Sequence, residues 1–482
     1  MRLRSIHTRK KYRKQSTLTL TLRCYRCTIA PKSVPDNLTG EISMQKIIKN
    51  SRRSFLKRSA LLGGAAIVGH QVMHVHAAES GPIKVGLIGC GGRGRGAAVD
   101  SLTHVPNVQL FAIADLFKAN ADIAAKALSE NFQDNVGLVD LPEDRRFGGF
   151  DGYKSVIALC DVVLLCTPQH FRPMMLKAAV EAGKHIFCEK PVAVDAPGIR
   201  SVLESAALAK EKGLNIVTGL VNRYSSRVQD VVKRIHDGQI GTVVTARANR
   251  LGGPLWTRRR QEGDTEMMYQ MRNWVNFNWM ASEFINDVTV HQLDVAMWCI
   301  GDEWTPVNAY GLGGQVARTQ QDTGDMYDTM SVVYEYADGR PLYAFSRQIP
   351  GCFNDAAVHV SGSKGGAVIN NVGLGRVAIF GENPYDAPSN ATARDTYFTQ
   401  HSTLYNAILS GGKVYVNHLP YTAKATMAAI LGRMASYSGQ KVTWEEALNS
   451  QESFTLSDYS WDATPPTLPN EQGQYKIAIP GR

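Results

Sequence analysis

Val85-Gly86-Leu87-Ile88-Gly89-Cys90-Gly91-Gly92-Arg93-Gly94 is an apolar run that breaks into glycines spaced G-x-G-x-x-G. Alone the string is weak, and its weight comes from context. A strand-like stretch precedes it, a helix-compatible stretch follows, and Asp115 closes the next apolar run about 20 residues on. Gly89 permits a tight turn, Gly91 lets the backbone approach a pyrophosphate, and Gly94 lets the helix pack against the strand. Phosphates are then expected at a helix N-terminus, beside Gly92 and Arg93, where free N–H groups and the dipole favour anions. A carboxylate at Asp115 suits the adenosine ribose hydroxyls and repels a 2′-phosphate, so NAD is expected as cofactor. NADP stays possible through Arg93 and Lys118.

Outward from this turn, short apolar runs at 83–89, 109–115, 162–168, 185–191 and 215–220 alternate with helical stretches at 119–131, 174–182 and 199–212. That alternation predicts βαβ units and a doubly wound parallel sheet, a Rossmann domain over 82–221. Beyond it, strand-like runs follow one another at 242–250, 307–318, 329–336, 342–348, 356–361 and 367–370. Asp338-Gly339 and Ser363-Lys364-Gly365-Gly366 mark turns between them. The expectation is an α/β chain whose second domain, 222–450, is α+β with a large, mostly antiparallel open sheet. A tail covers 451–482. The 482 residues suit two such domains, and 44% hydrophobic with 20% charged residues is an ordinary globular composition.

The net charge of +10 is not spread evenly. Residues 1–58 hold 16 Lys/Arg and two acids, Asp36 and Glu41, leaving 37 basic and 41 acidic residues in the rest. The basicity therefore belongs to a leader, and no nucleic-acid partner is expected. Within it, Ser51-Arg52-Arg53-Ser54-Phe55-Leu56-Lys57 precedes an apolar stretch at 60–69 and small residues at Val75-His76-Ala77-Ala78. This order predicts a twin-arginine signal over 1–78, use of the twin-arginine export machinery, and a periplasmic or exported product. The apolar stretch is shorter than the ~20 residues that span a bilayer. Met44 would give a leader of ordinary length. Eight cysteines include Cys24 and Cys27 in the leader; Cys166 and Cys188 sit in strand-like runs as small hydrophobes, and no metal site is expected.

Phe187-Cys188-Glu189-Lys190-Pro191 is a strand ending in Glu-Lys-Pro, downstream of the glycine turn and of a strand that ends Thr167-Pro168. With these motifs the chain resembles the Gfo/Idh/MocA family of sugar and polyol dehydrogenases from about Ile83 to Ser450. The segment 432–446 is similar to the C-terminal part of exported, planctomycete-type members. The resemblance implies cofactor contacts from Thr167, Pro168, His170, Glu189 and Lys190, and a strand lysine, Lys190, beside the nicotinamide. It also matches Asp287-Val288-Thr289-Val290-His291 to a catalytic helix. On an α-helix the spacing puts Asp287, His291 and Asp294 on one stripe, where a structural cluster around a core histidine is the plain alternative.

Hydride removal from a secondary alcohol needs a base facing the hydroxyl, a duty for His291, with Lys190 polarising the oxygen and Asp287 binding substrate or tuning the lysine. Asp294 suits bracing. Arg172 stands where relatives carry a histidine; it points to an anionic or strongly hydroxylated substrate, or else pairs with a surface carboxylate. Arg223 is a further candidate for substrate binding. The stretch 256–279, with Trp256, Trp274, Asn276, Asn278 and Trp279, suits either a sugar platform or an oligomer interface. Other readings remain open: an NAD-dependent redox-cycling glycosidase, an aldose–ketose transhydrogenase with retained cofactor, and a non-catalytic sensor. A homo-oligomer, dimer or tetramer, is expected.

Overall fold

The computed structural model describes residues 81–481 except 104, 320, 371–374 and 389–391. The leader expectations, with Arg52-Arg53, Met44, Cys24, Cys27 and the cleavage site, lie outside the described residues. The chain opens with β1 (Ile83–Ile88), α1 (Gly92–Thr103), β2 (Val108–Ala114), α2 (Lys118–Asn131), β3 (Arg146–Phe147), α3 (Gly152–Leu159), β4 (Val162–Leu165), α4 (Arg172–Glu181), β5 (His185–Cys188), α5 (Ala196–Glu211) and β6 (Ile216–Thr218). These strands form a parallel sheet in the order β3-β2-β1-β4-β5-β6. Val85, Leu87, Ile88 and all four residues of β4 are buried, as expected of central strands covered on both faces. The strand order reverses between β1 and β4, and the crevice beyond their carboxyl ends is where such sheets bind ligands.

Next come α6 (Ser226–His236), β7 (Val243–Gly252), α7 (Glu266–Arg272), α8 (Asn278–Ala281), α9 (Val290–Ile300), β8 (Asn308–Gly314), β9 (Thr329–Glu335), β10 (Pro341–Gln348), β11 (Ala357–Gly362), β12 (Gly365–Asn370), β13 (Val377–Gly381), β14 (Tyr385–Asp386), α10 (Ala393–Leu409), α11 (Leu419–Ser438), β15 (Val442–Thr443) and α12 (Trp444–Leu448). The nine strands of the second sheet run β14-β13-β12-β11-β7-β10-β9-β8-β15, antiparallel except where β7 meets β10. The six predicted strands are present; β13, β14 and β15 are additions. In β7, Ala246 and Ala248 are buried toward the helices while Arg247 between them is exposed, the period-2 signature of a one-sided sheet. One buried cluster runs from Ile88 and Val163 through Leu293 to Val332 and Leu342, so the two sheets share a core.

Two segments differ from the expected domain boundaries. α10 leaves the second sheet and packs on α1 and β6, and α11 lies against α5 and α9. Their partners are set by long-range apolar packing that local pattern does not encode. Residues 451–481 carry no long regular element, yet they form a strap touching both halves. Phe454 N–H donates to Asp195 Oδ2 at 2.8 Å, Gln270 Nε2 to the Thr467 carbonyl at 2.7 Å, and Tyr327 OH to the Ala478 carbonyl at 2.9 Å.

Candidate active site

Beyond the carboxyl ends of β1 and β4 lies a cleft of about 990 Å³. Its nucleotide end is built by the turn between β1 and α1. Gly89 has φ +95°, and a Cβ there would press on the Cys166 backbone at 2.7 Å. A Cβ on Gly94 would collide with the Gly89 carbonyl oxygen, so the helix starts this close to the strand only with glycine. At Gly91 and Gly92 a Cβ would meet nothing, because both face the open cleft. That space over the α1 N-terminus is the cradle a pyrophosphate requires.

Asp115 is held beside the turn. Its Oδ2 accepts from Cys90 N–H at 2.8 Å, and its Oδ1 from Phe117 N–H and Asn120 Nδ2, both at 3.0 Å. A carboxylate offers about four acceptor positions, so one is left for a ribose hydroxyl. Arg93 and Lys118 do not offset this charge for a 2′-phosphate. Arg93 turns away to Glu189 (2.6 Å) and Asp100 (3.5 Å), and Lys118 pairs with Asp122 (3.1 Å). Arg95, passed over in the sequence, also lines the cleft here.

Glu189 lines the cleft but is 5% exposed, and its carboxylate is taken by Arg93 Nε and by the Lys190 N–H at 3.2 Å. It is a tie between the glycine turn and the lysine strand rather than a free cofactor ligand. A Cβ on Gly219 would run into this carboxylate, so that position needs glycine. Thr167 and Pro168 line the cleft as expected. His170 does not. Its ring is buried edge-on against Trp279, with Nδ1 3.2 Å from the Trp279 carbonyl and Nε2 3.0 Å from Tyr459 OH. Burial lowers its pKa to about 4, and the expected cofactor contact gives way to a joint with the strap.

At the other end, Lys190, Asp287 and His291 line the same cleft. Lys190 Nζ donates to the Asp287 carbonyl at 2.6 Å, and Gln169 Nε2 donates to Asp287 Oδ1 at 3.3 Å. Burial pushes the Lys190 pKa down from 10.5, opposed by the charges of Asp287 and Glu189. Burial, then the charges of Lys190 and Arg250, depress His291 well below 6.5. The His291 Nδ1 atom is buried with no hydrogen-bond partner.

Local backbone sets this arrangement. Ser282 (φ 51°) and Glu283 (φ 76°) are consecutive left-handed non-glycine residues, each costing roughly 1 kcal/mol or more. The Glu283 carboxylate accepts from Phe284 N–H at 3.1 Å, from Tyr327 N–H at 2.6 Å and from Tyr437 OH, which hold the bend. The chain then winds as a π-turn, Ile285–Thr289, before α9. The expected single stripe assumed α-helical spacing throughout. With the wide turn, Asp287 and His291 reach the cleft while Asp294 leaves it for Arg223.

Arg223 corrects a further expectation. Its guanidinium is spent on Asp294 (2.8 Å) and Asp302 (2.9 Å), stacked between Trp298 and Tyr421, and it does not line the cleft. It braces two elements instead of binding substrate. Arg223→Met leaves Asp294, 1% exposed, without its partner and is expected to cost about 3–5 kcal/mol in a urea unfolding curve. A loss under 1 kcal/mol would contradict the bracing role. Arg172 does line the cleft, 5% exposed, donating to the Pro191 carbonyl rather than to a surface carboxylate. Of the aromatic stretch, Trp256 and Trp274 line the cleft, while Trp279 Nε1 is fixed on Gln270 at 2.7 Å in the core. Asn276 and Asn278 are buried in the packing around it.

Residues 83–220 match the oxidoreductase family with NAD-binding Rossmann fold, GFO_IDH_MocA, and residues 228–368 match the GFO/IDH/MocA C-terminal domain. The chain belongs to the Gfo/Idh/MocA family of oxidoreductases. Among its relatives is the inositol 2-dehydrogenase of Rhizobium meliloti (strain 1021), 26% identical over 325 residues, covering 67% of this chain and 85% of that one. The solved structure of scyllo-inositol dehydrogenase from Lactobacillus casei with bound NAD(H) and scyllo-inositol superposes with a TM-score of 0.55 at 18% identity. It covers 76% of this chain and 99% of that one. Aldose-aldose oxidoreductase from Caulobacter crescentus complexed with glycerol gives 0.58 at 18% identity, covering 75% and 99%. These two share the fold.

In this oxidoreductase the strap adds residues the sequence reading missed. Trp461 packs on Phe117 at 5.1 Å and Phe150 at 5.0 Å, and both phenylalanines line the nucleotide end of the cleft. The aromatic residues of 451–481 were the available signal, and their distance along the chain hid it.

Proposed function

We propose that this NAD-binding oxidoreductase removes a hydride from a secondary hydroxyl of a sugar or polyol, with Lys190 and His291 as its acid–base groups and Asp287 on the substrate. The observation that carries this reading is that Lys190, Asp287 and His291 line one cleft with the glycine turn, with Lys190 Nζ held on the Asp287 carbonyl. When bound, NAD supplies the hydride acceptor. Gly89, Gly91, Gly92 and Gly94 make room for its phosphates, and Asp115 holds its ribose.

Lys190 uses one ammonium hydrogen on the Asp287 carbonyl and has two for the substrate oxygen, where negative charge develops as the hydride leaves. His291 takes the hydroxyl proton. Its depressed pKa keeps the ring neutral and ready to accept at neutral pH.

Oxidation then fails when His291 is protonated or Lys190 is not. The acid limb of the kcat/KM profile is expected below 6.5, and the alkaline limb below 10.5. A flat response through that range, or an acid limb at 6.5 or above, would contradict the assignment. The direct test is mass spectrometry for nucleotide in the purified protein, followed by a sugar and polyol panel read at 340 nm. NADH accumulation supports a dehydrogenase. Absence of any nucleotide affinity sinks the reading.

One observation favours a second form of the same chemistry. Trp461 backs the phenylalanine wall of the nucleotide end, and the strap ties both halves together, an arrangement expected to slow exchange of the nucleotide. An aldose–ketose transhydrogenase that keeps its cofactor fits this, as does export, where free NAD is scarce. Export itself rests on the Arg52-Arg53 leader, and N-terminal sequencing of secreted protein checks the removal of residues 1–78. The outer face of the second sheet exposes Val244, Tyr310, Leu312, Tyr343 and Phe380, which a second copy would cover. Light scattering is expected to give a dimer or tetramer mass; a monomer contradicts this.

A further inference from the structure

Two side-chain amides flank the turn that carries Asp287, and both are fully buried. Gln169 stands in the short loop between β4 and α4, on the side of the first sheet. Its Nε2 donates to the Ala281 carbonyl at 3.0 Å and to Asp287 Oδ1 at 3.3 Å. Asn286 directly precedes Asp287. Its Nδ2 donates to the same Ala281 carbonyl at 3.3 Å and to the Ala193 carbonyl, just beyond Lys190, at 3.1 Å. Ala281 ends α8, where a carbonyl has no partner within its helix, and the left-handed pair Ser282 and Glu283 follows at once.

The chemistry of Gln169 is not interchangeable here. An amide nitrogen carries two hydrogens, and the two groups facing it are a carbonyl and a carboxylate, which only accept. The amide therefore meets them with its nitrogen, and Oε1 is left buried without a partner. An idle buried oxygen costs free energy that a leucine would not incur, so packing alone does not account for a glutamine at this place. A glutamate would set a carboxylate against two acceptors.

Asp287 is part-exposed and lines the cleft, and its backbone carbonyl already takes the Lys190 ammonium at 2.6 Å. With Oδ1 engaged by Gln169, Oδ2 is the acceptor left for a ligand in that cleft. A part-exposed carboxylate otherwise turns about its side-chain bonds and meets a hydroxyl in many orientations, and lost orientation is lost rate.

We infer that Gln169 is a positioning residue. It fixes the Asp287 carboxylate so that Oδ2 receives one substrate hydroxyl while the neighbouring hydroxyl faces Lys190 and His291. Gln169 does not itself line the cleft and acts only through Asp287. This deepens the proposed oxidoreductase reading and rests on it.

The test uses the full chain with NAD, and myo-inositol and D-glucose as probes. Turnover is read at 340 nm, and sugar binding to the NADH-loaded chain by calorimetry. Gln169→Leu is expected to lower kcat/KM by about 30-fold or more, with NAD affinity within a factor of about three. In an Asp287→Ala background the same change should cost less than about threefold, because no carboxylate is left to position. Gln169→Asn, which keeps the amide on a shorter stem, should restore part of the loss, and Gln169→Glu should fall below the leucine variant.

Sugar affinity should show the same coupling without any need for hydride transfer. Normal turnover in Gln169→Leu, or an equal fold-loss in both backgrounds, overturns the positioning role alone. Coupled loss of sugar binding with no NADH formed by the wild-type chain leaves that role standing and defeats the oxidoreductase reading. Neither binding nor turnover of the probes overturns both.

Discussion

Lys190→Met is expected to lower kcat/KM by roughly 1,000-fold, about 4 kcal/mol of transition-state stabilisation, while leaving NAD affinity within a factor of a few. Met keeps the length of the side chain and removes the ammonium, so the loss reports charge at the reacting oxygen. The Lys190 ammonium is buried and donates to a backbone carbonyl at 2.6 Å, which fixes its position before substrate arrives. A group held in place beforehand costs no reorganisation during the reaction. His291→Ala should produce a loss of the same order by removing the proton acceptor. The double variant should be little worse than either single one, because the two groups act on one oxygen. Steady-state kinetics beside NAD binding by calorimetry separates these effects, and near-normal turnover in both single variants would end the assignment.

The second large effect concerns the glycine turn, where two substitutions of the same kind should behave differently. Gly91→Val places its side chain in space the protein leaves empty, so the fold should persist with an unchanged melting temperature. NAD should nonetheless be lost by more than 100-fold, because the methyl groups occupy the pyrophosphate cradle. Gly94→Val strikes the Gly89 carbonyl, so α1 must move off β1, and both stability and binding should fall. Overpacking of this kind typically costs about 1–3 kcal/mol. Calorimetric binding and thermal unfolding on the two proteins check the contrast. Retained NAD affinity in Gly91→Val would mean the nucleotide does not cross that turn.

What was legible in the sequence was local. The glycine spacing, Asp115, the Glu-Lys-Pro strand end and the alternation of runs all depend on residues within a few turns of one another. The antiparallel character of the second sheet followed from strand-like runs that succeed one another with few helices and with tight-turn signals between several of them. Arg223 and His170 read differently because their partners are remote: Asp294 lies 71 residues on, and Tyr459 lies 289 residues from His170. A lone arginine beside a strand end does not announce whether it meets substrate or an aspartate. The π-turn was hidden for another reason, since its cause is the left-handed pair Ser282 and Glu283, held by Tyr327 and Tyr437 from other elements.

The strap also bears on the order of assembly. Residues 451–481 follow every strand of both sheets along the chain, and they include Trp461, which backs the nucleotide wall, and the partners of Gln270 and Tyr327. The first sheet and its glycine turn can therefore fold before this segment docks, and the nucleotide end lacks its Trp461 backing until it does. A chain truncated near 450 is expected to keep the glycine turn yet release NAD faster than the full chain, which nucleotide off-rates on the two proteins would check.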